Sequence, residues 1–223
     1  MQIINFLGNP NIGLFFYSTD KFTVVPRITS DEVIKTIKNE LKTEIIKADV
    51  MNSSVNGIFL AGNEELLLVP KGISKDSLKE LEKMKLKIAI IDTKSNALGN
   101  NIVVYKNKAL VNPNFEDSAL KQLEDLGLEV MKSKIASIET VGANLIVFSK
   151  KGLINKQARD NEIEKIKEFF KIELELGTVN GSSPIIKAGF VKNKHGIIIS
   201  KEMNGSEIMA LEELMKWKIT EEK

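Results

Sequence analysis

The 223-residue chain contains no cysteine and one histidine, His195. Disulfides, thiol nucleophiles, Cys/His zinc sites and any serine-histidine scheme needing a second histidine are thereby excluded. His195 stands between Lys194 and Gly196 in a turn-like stretch and reads as a solvated surface side chain. Arginine is nearly missing as well: Arg27 and Arg159 are the only two, so bidentate phosphate or guanine contacts have few candidates. No apolar run approaches the roughly 20 residues of a membrane-spanning helix, and runs such as Leu66 to Val69 are far shorter. The opening Met1-Gln2-Ile3-Ile4-Asn5 lacks the basic stretch, apolar core and small-residue cleavage site of a secretory signal, so the cytoplasm is the expected compartment.

What is present is ordinary in bulk. Hydrophobic residues make up 43% and charged residues 28%, enough for a soluble globular core. Basic and acidic side chains number 32 and 30 and are spread along the chain, which provides no continuous phosphate-tracking surface; any RNA contact would be local.

The informative feature is a hidden period of about 44 residues. Leu68-Val69-Pro70 echoes Val24-Val25-Pro26, and Leu110-Val111-Asn112-Pro113 follows in the third copy. Thr140-Val141-Gly142-Ala143-Asn144 echoes Asn96-Ala97-Leu98-Gly99-Asn100, and His195-Gly196-Ile197-Ile198 echoes Lys151-Gly152-Leu153-Ile154. Five copies fill the chain, over approximately residues 1–50, 51–93, 94–136, 137–179 and 180–220. Units this small cannot each bury a face alone, so they are expected to form one closed array and a single domain.

In the first copy, Ile12 to Tyr17 and Phe22 to Val25 read as a hairpin around Ser18-Thr19-Asp20-Lys21. Thr29-Ser30-Asp31-Glu32 reads as a capping box, Val33, Ile34, Ile37 and Leu41 recur at helical spacing, and Glu44 to Ala48 reads as a third strand. The later helices start at Ser74, at Glu116-Asp117-Ser118, at Asn161 with Glu164, and at Asn204 with Glu207. Each unit is therefore strand, strand, helix, strand in an α/β chain, with helices outside and held by packing, since such short helices are marginal alone.

The joints between copies are rich in Asn and Gly. They include Gly8 to Gly13, Met51 to Gly57, Lys94 to Asn100, Glu139 to Asn144 and Gly177 to Ser182. As polar loops converging on an axis they have two readings: amides that satisfy loop backbone, or a ring of amides and hydroxyls lining a central opening. Neither supplies a metal-grade carboxylate cluster or an acid-base pair, so these joints suit binding rather than catalysis.

Ala97-Leu98-Gly99-Asn100, Ala109 to Pro113, the Thr140 to Asn144 joint and Gly177-Thr178-Val179-Asn180-Gly181 together resemble, in order and spacing, the archaeal and eukaryotic translation initiation factor six family. The resemblance covers essentially the whole chain and favours the archaeal form. It implies the pentein fold, a β/α propeller of five quasi-identical units around a pseudo-fivefold axis. It also implies a monomeric, cofactor-free, non-enzymatic factor that binds the joining face of the large ribosomal subunit, mainly through a ribosomal protein near the sarcin-ricin loop, and keeps the small subunit away, with a role in large-subunit maturation also in view. The most family-like joint positions, Gly99, Asn100, Asn144 and Asn180, are the candidate interaction residues. The chain departs from the family at Asn112-Pro113 and Asn155-Lys156, where members often have His-Pro, and at Lys201 to Asn204; these are read as changes of surface detail. Two alternatives are a pentein-fold enzyme acting at the central channel, which the missing cysteine disfavours, and a small-ligand ring built on the joint asparagines.

Overall fold

A computed structural model describes residues 1–221, with side chains through Lys216. The N-terminal strand β1 (Gln2–Ile3) is followed by a single 3-10 turn, Ile12–Leu14, then β2 (Tyr17–Ser18), β3 (Phe22–Val25), helix α1 (Asp31–Leu41) and β4 (Glu44–Lys47). The second unit holds the short helix α2 (Asn56–Phe59), β5 (Ala61–Gly62), β6 (Leu66–Pro70), α3 (Lys75–Glu82) and β7 (Lys87–Ile91). The third holds α4 (Leu98–Asn101), β8 (Ile102–Tyr105), β9 (Lys108–Val111), α5 (Asp117–Asp125) and β10 (Glu129–Lys132). The fourth holds α6 (Val141–Asn144), β11 (Leu145–Val147), β12 (Lys151–Asn155), α7 (Asp160–Phe170) and β13 (Glu173–Gly177). The last has the turn Ile186–Ala188, β14 (Phe190–Lys192), β15 (Ile197–Ile199) and α8 (Gly205–Glu221).

These strands form five three-stranded sheets among the described residues. In each, the central strand pairs antiparallel with its hairpin partner and parallel with the strand that follows the helix, as Leu68 does with Ala61 and Ala89. The fifth sheet departs from the simple repeat: its parallel strand is β1, which pairs Gln2 with Ile198 and Ile3 with Ile199. The N-terminal segment thus completes the unit formed by the other end of the chain, and the ring is closed by backbone hydrogen bonds.

The central strands are apolar throughout because both of their faces are buried. Val24 packs with Leu67, Leu81 and Met84 of the second unit, whereas the next residue, Val25, packs with Val191 and Ile198 of the fifth. Leu68 and Leu67 divide in the same way between the third and first units, and Leu110 and Val111 between the fourth and second. Side chains alternate across a strand, so each continuous apolar run serves two neighbouring cores. The outer helices each add an apolar stripe, such as Ile37 and Leu41 of α1 or Ile166 and Phe170 of α7.

Several helix starts differ from the sequence reading. Ser30 caps α1 by accepting from Val33 N, so the expected box of Thr29 with Glu32 does not form, and the buried Thr29 hydroxyl has no partner among the described residues. Helix α7 begins two residues early: Arg159 is its N-cap, and Glu162 accepts from the Arg159 amide. At α8 the expected pair forms, with Asn204 accepting from Glu207 N and Glu207 accepting from Asn204 N.

At the axis the joints are short helices or single turns rather than loops. Equivalent positions in the five segments carry Gly13, Gly57, Gly99, Gly142 and Lys187. A Cβ on any of the four glycines would overlap the carbonyl oxygen of the preceding unit: Lys187 for Gly13, Gly13 for Gly57, Gly57 for Gly99 and Gly99 for Gly142. Backbone packs on backbone around the axis, and only glycine permits that approach. Gly142→Ala is expected to lower stability by about 2 kcal/mol or more, as overpacking against rigid backbone does. Gly205→Ala, where an added Cβ meets nothing within 4 Å, is the matched control and should leave the denaturation midpoint almost unchanged.

Candidate functional site

The short helices bring the joint asparagines to the axis, but turn most of their amides inward. Asn144 is fully buried; its Nδ2 donates to Thr140 O at 2.9 Å, and its Oδ1 accepts from Asn155 Nδ2 at 2.7 Å. The third unit repeats this, with Asn101 Nδ2 donating to Ala97 O and Asn112 Nδ2 to Asn101 Oδ1. Asn112 and Asn155, read from the sequence as altered surface detail, are therefore buried members of the axial framework. Their side chains go on to accept from the amides of Asn114 and Gln157. Asn180, at φ 49°, accepts from Ser200 Oγ at 2.7 Å and donates to Pro10 O at 2.9 Å, joining the last unit to the first.

Of the four candidate residues, Gly99 and Asn100 are neighbours in α4, while Asn144 and Asn180 lie in other units and make internal bonds. Gly99 is held by backbone packing. Asn100 is different: it is half-buried and its side-chain amide has no hydrogen-bond partner among the described residues. It is the candidate left with free donors and an acceptor. The sequence reading also placed Gly177 to Ser182 with the axial joints; that segment is the turn preceding the axis, bridged by Val179 and Ser183, and the axial segment itself is Ile186–Ala188.

Carboxylates at helix starts staple the joints, a role the sequence reading missed. Glu207 accepts from Gly181 N, Ser182 N, Asn204 N and Thr178 Oγ1 at 2.8 to 3.1 Å. Glu162 takes the amides of Ala136, Ser137 and Arg159, and Glu116 takes Thr93 Oγ1 and Lys94 N. Burial pushes the Glu207 carboxyl up, but the hydrogen bonds from Asn204, Ser182, Thr178 and Gly181 outweigh it and hold the group below the usual carboxylate range. The sequence signal was an acid three residues into a helix, which points at its own N-cap and not at the preceding joint.

The inner, hairpin-side strands surround a channel on the axis. It widens into a funnel of about 940 Å³ lined by the hairpin turns, including Asp20, Asn63, Glu64, Lys106 and Lys192. The turns are tied in sequence around the rim by Asn193 Nδ2 to Thr19 O, Lys194 N to Asp20 Oδ1, Asp20 N to Glu64 Oε2 and Asn63 Nδ2 to Lys106 O. Burial raises the Glu64 carboxyl and the Tyr17 phenol, the latter aided by the Glu64 charge. The channel is not lined by the joint amides, as one reading supposed. Its inner end carries Gly13, Gly142 and Lys187, whose Nζ crosses to Gly99 O at 2.7 Å. Burial drives that lysine down to about 7. No group of three or more His, Asp or Glu among the described residues is arranged to hold a metal, and His195 is exposed in its turn.

This architecture is found in solved structures. The N-terminal domain of ArgZ, bound covalently to a reaction intermediate, superposes with a TM-score of 0.51 at 12% identity, covering 84% of this chain and 71% of that one. At that identity the likeness speaks for fold alone, and the fold is that of a pentein propeller. The model of the eIF-6 family matches residues 1–214, and the chain belongs to this family. It is 34% identical over 219 residues to Translation initiation factor 6 of Saccharolobus solfataricus, covering 96% of this chain and 98% of the relative. It is 36% identical over 219 residues to Translation initiation factor 6 of Aeropyrum pernix, covering 95% and 93%. The protein of the same name from Sulfolobus acidocaldarius is 31% identical over 214 residues, covering 94% and 96%.

Two pH effects follow. Glu207→Gln leaves one acceptor oxygen where two served four donors, and should cost about 1–3 kcal/mol at pH 7. Because the native carboxyl lies below its ordinary 4.5, its contribution is complete above that value and is lost as pH falls through the native one; the deficit of the Gln variant should shrink in acid unfolding below about pH 4. Lys187 has the opposite sense. Between about 7 and its ordinary 10.5 the unfolded chain binds a proton that the native chain does not, so stability rises with pH there. Lys187→Met should therefore be stabilising at and below pH 7, with the gain fading toward pH 10.5, as measured by urea denaturation across that range.

Proposed function

We propose that this protein is a translation initiation factor that binds the joining face of the large ribosomal subunit and sterically prevents the small subunit from docking. The observation that carries the reading is membership of the eIF-6 family over residues 1–214, together with relatives named Translation initiation factor 6 that match over nearly their full length. The rigid ring supplies a physical mechanism. A closed array whose units share every core presents a preformed face, so docking costs little conformational entropy, and a body of 24.9 kDa lying on that face excludes a partner by volume. The near balance of charge, with a net +2, suits a contact made mainly with a ribosomal protein near the sarcin-ricin loop and only locally with rRNA. On this reading the factor is a cytoplasmic monomer with no cofactor and no catalytic step, and it also serves large-subunit maturation. No helix among the described residues is long and apolar enough to cross a membrane.

The chain lacks the cysteine that the notion of a guanidino-modifying enzyme would require, since a thiolate is the nucleophile suited to an amidino carbon near neutral pH. Asn100 is the residue assigned to the ribosomal contact, because its amide is the candidate group not used internally. Co-sedimentation with separated subunits across a salt series tests the reading. Stoichiometric binding to the large subunit, suppressed joining and a shallow salt slope are expected, whereas absence of binding under joining-competent conditions would refute it. Asn100→Ser should keep its melting temperature within about 2 °C, as surface changes do, and weaken large-subunit binding. A loss of stability without a loss of binding would return Asn100 to a structural role.

A further inference from the structure

Four of the five axial positions carry glycine, and the fifth carries lysine, a long flexible cation. Lys187 lies on the floor of the axial channel, and its Nζ stands where a side chain at Gly99 would begin. An ammonium has three donors. One is used, toward Gly99 O at 2.7 Å, and the other two have no partner among the described residues. No carboxylate among the described residues pairs with Lys187, whose Nζ contact is the Gly99 carbonyl. A half-buried charge without a counter-charge is unfavourable, and none of the described residues forms an ion pair with it.

The space next to this cation has a definite character. The channel above Lys187 has a volume of about 160 Å³; its accessible lining is Tyr17, Val104, Ile146 and Val147 together with Ser18 and Gly62, and it reaches Lys192 and the funnel. That volume is close to the roughly 150 Å³ of an apolar cavity able to hold benzene. The walls exclude a strongly hydrated polyanion such as phosphate, which needs several donors, because Lys187 is the charged donor at the floor and Lys192 stands at the rim. One half-buried cation at the end of a channel with a largely apolar lining matches an anion of one charge with an apolar body.

We propose that the axial channel binds a small monocarboxylate with a compact apolar tail, its carboxylate seated on the Lys187 ammonium and its tail pointing toward the funnel. The carboxylate accepts the two unused N–H donors and supplies the absent counter-charge, and the tail displaces water from the apolar walls. The site is independent of the ribosomal reading: it faces the interior of the ring, and its occupancy is measured on the isolated protein.

Sodium benzoate and sodium isovalerate are the probes, with benzyl alcohol as the neutral match in size and sodium chloride as the bare anion. The readout is the side-chain CεH2 signal of Lys187 in protein carrying 13C-lysine, assigned by its absence from Lys187→Met. Saturable one-to-one shifts of that signal are expected with the carboxylates. Benzyl alcohol and chloride should each bind at least about tenfold more weakly, the scale of one charge-assisted hydrogen bond. By calorimetry, Lys187→Met should lose benzoate binding by a similar factor. The idea is overturned if the Lys187 signal does not respond saturably, if benzyl alcohol or chloride matches benzoate, or if Lys187→Met binds benzoate as wild type does. The calorimetric comparison of benzoate with benzyl alcohol and chloride uses the wild-type chain alone, so equal binding overturns the idea even if the variant fails to fold.

Discussion

Every central strand in this protein must be buried on both faces, and the rest of the architecture answers to that requirement. Val24 and Val25 are consecutive, yet they belong to different cores, one shared with the second unit and the other with the fifth. No unit therefore has a core of its own, and a chain of such units ended at either side would expose an apolar sheet face to water. At about 25 cal/mol per Å² of apolar surface, an open seam of this kind is strongly disfavoured, and closing the ring removes it. The pairing of β1 with β15 is the closure, and Asn180 with Pro10 and Asn193 with Thr19 and Leu41 reinforce it.

Closure has a geometric consequence at the axis. Five segments must meet within a small radius, and in four of them the backbone packs directly on the carbonyl of the unit before it. Gly13, Gly57, Gly99 and Gly142 are the residues that make this approach feasible. The polar atoms brought along are satisfied by the buried Asn101 with Asn112 and Asn144 with Asn155 pairs, and by carboxylates such as Glu207 and Glu162 that collect the amides of the adjoining turns. The outcome is a stiff disc with a central channel, suited to acting by its shape.

Legibility in the sequence followed the range of the interaction involved. The strand, strand, helix, strand plan could be read because alternation and helical spacing are local patterns, and the family could be read because several joint motifs recur at fixed separations. The helix starts were legible where one short side chain caps its own helix, as at Ser74 and Asn204. They were misread at Arg159, where the carboxylate that marks the helix start also reaches back to the turn at Ala136 and Ser137. Asn112 and Asn155 looked like surface residues because nothing local says that a position after a strand will lie against a helix in the same unit, 11 residues back.

By itself the sequence determined the number of units, their internal order, the absence of thiol and paired-histidine chemistry, and the family, since all of these depend on residue identity and spacing along the chain. Which asparagines brace the ring and which of the candidate residues stays free, which strand closes the fifth sheet, and what faces the channel were decided only by the tertiary structure. Those properties arise where segments far apart in the chain converge. Asn144 and Asn100 are equally family-like in sequence, and they differ because Asn144 is the last residue of its short helix, where Asn155 meets it, whereas in the third unit that place belongs to Asn101, which meets Asn112. Lys187 and Gly99 are 88 residues apart, and only the closed ring makes them partners.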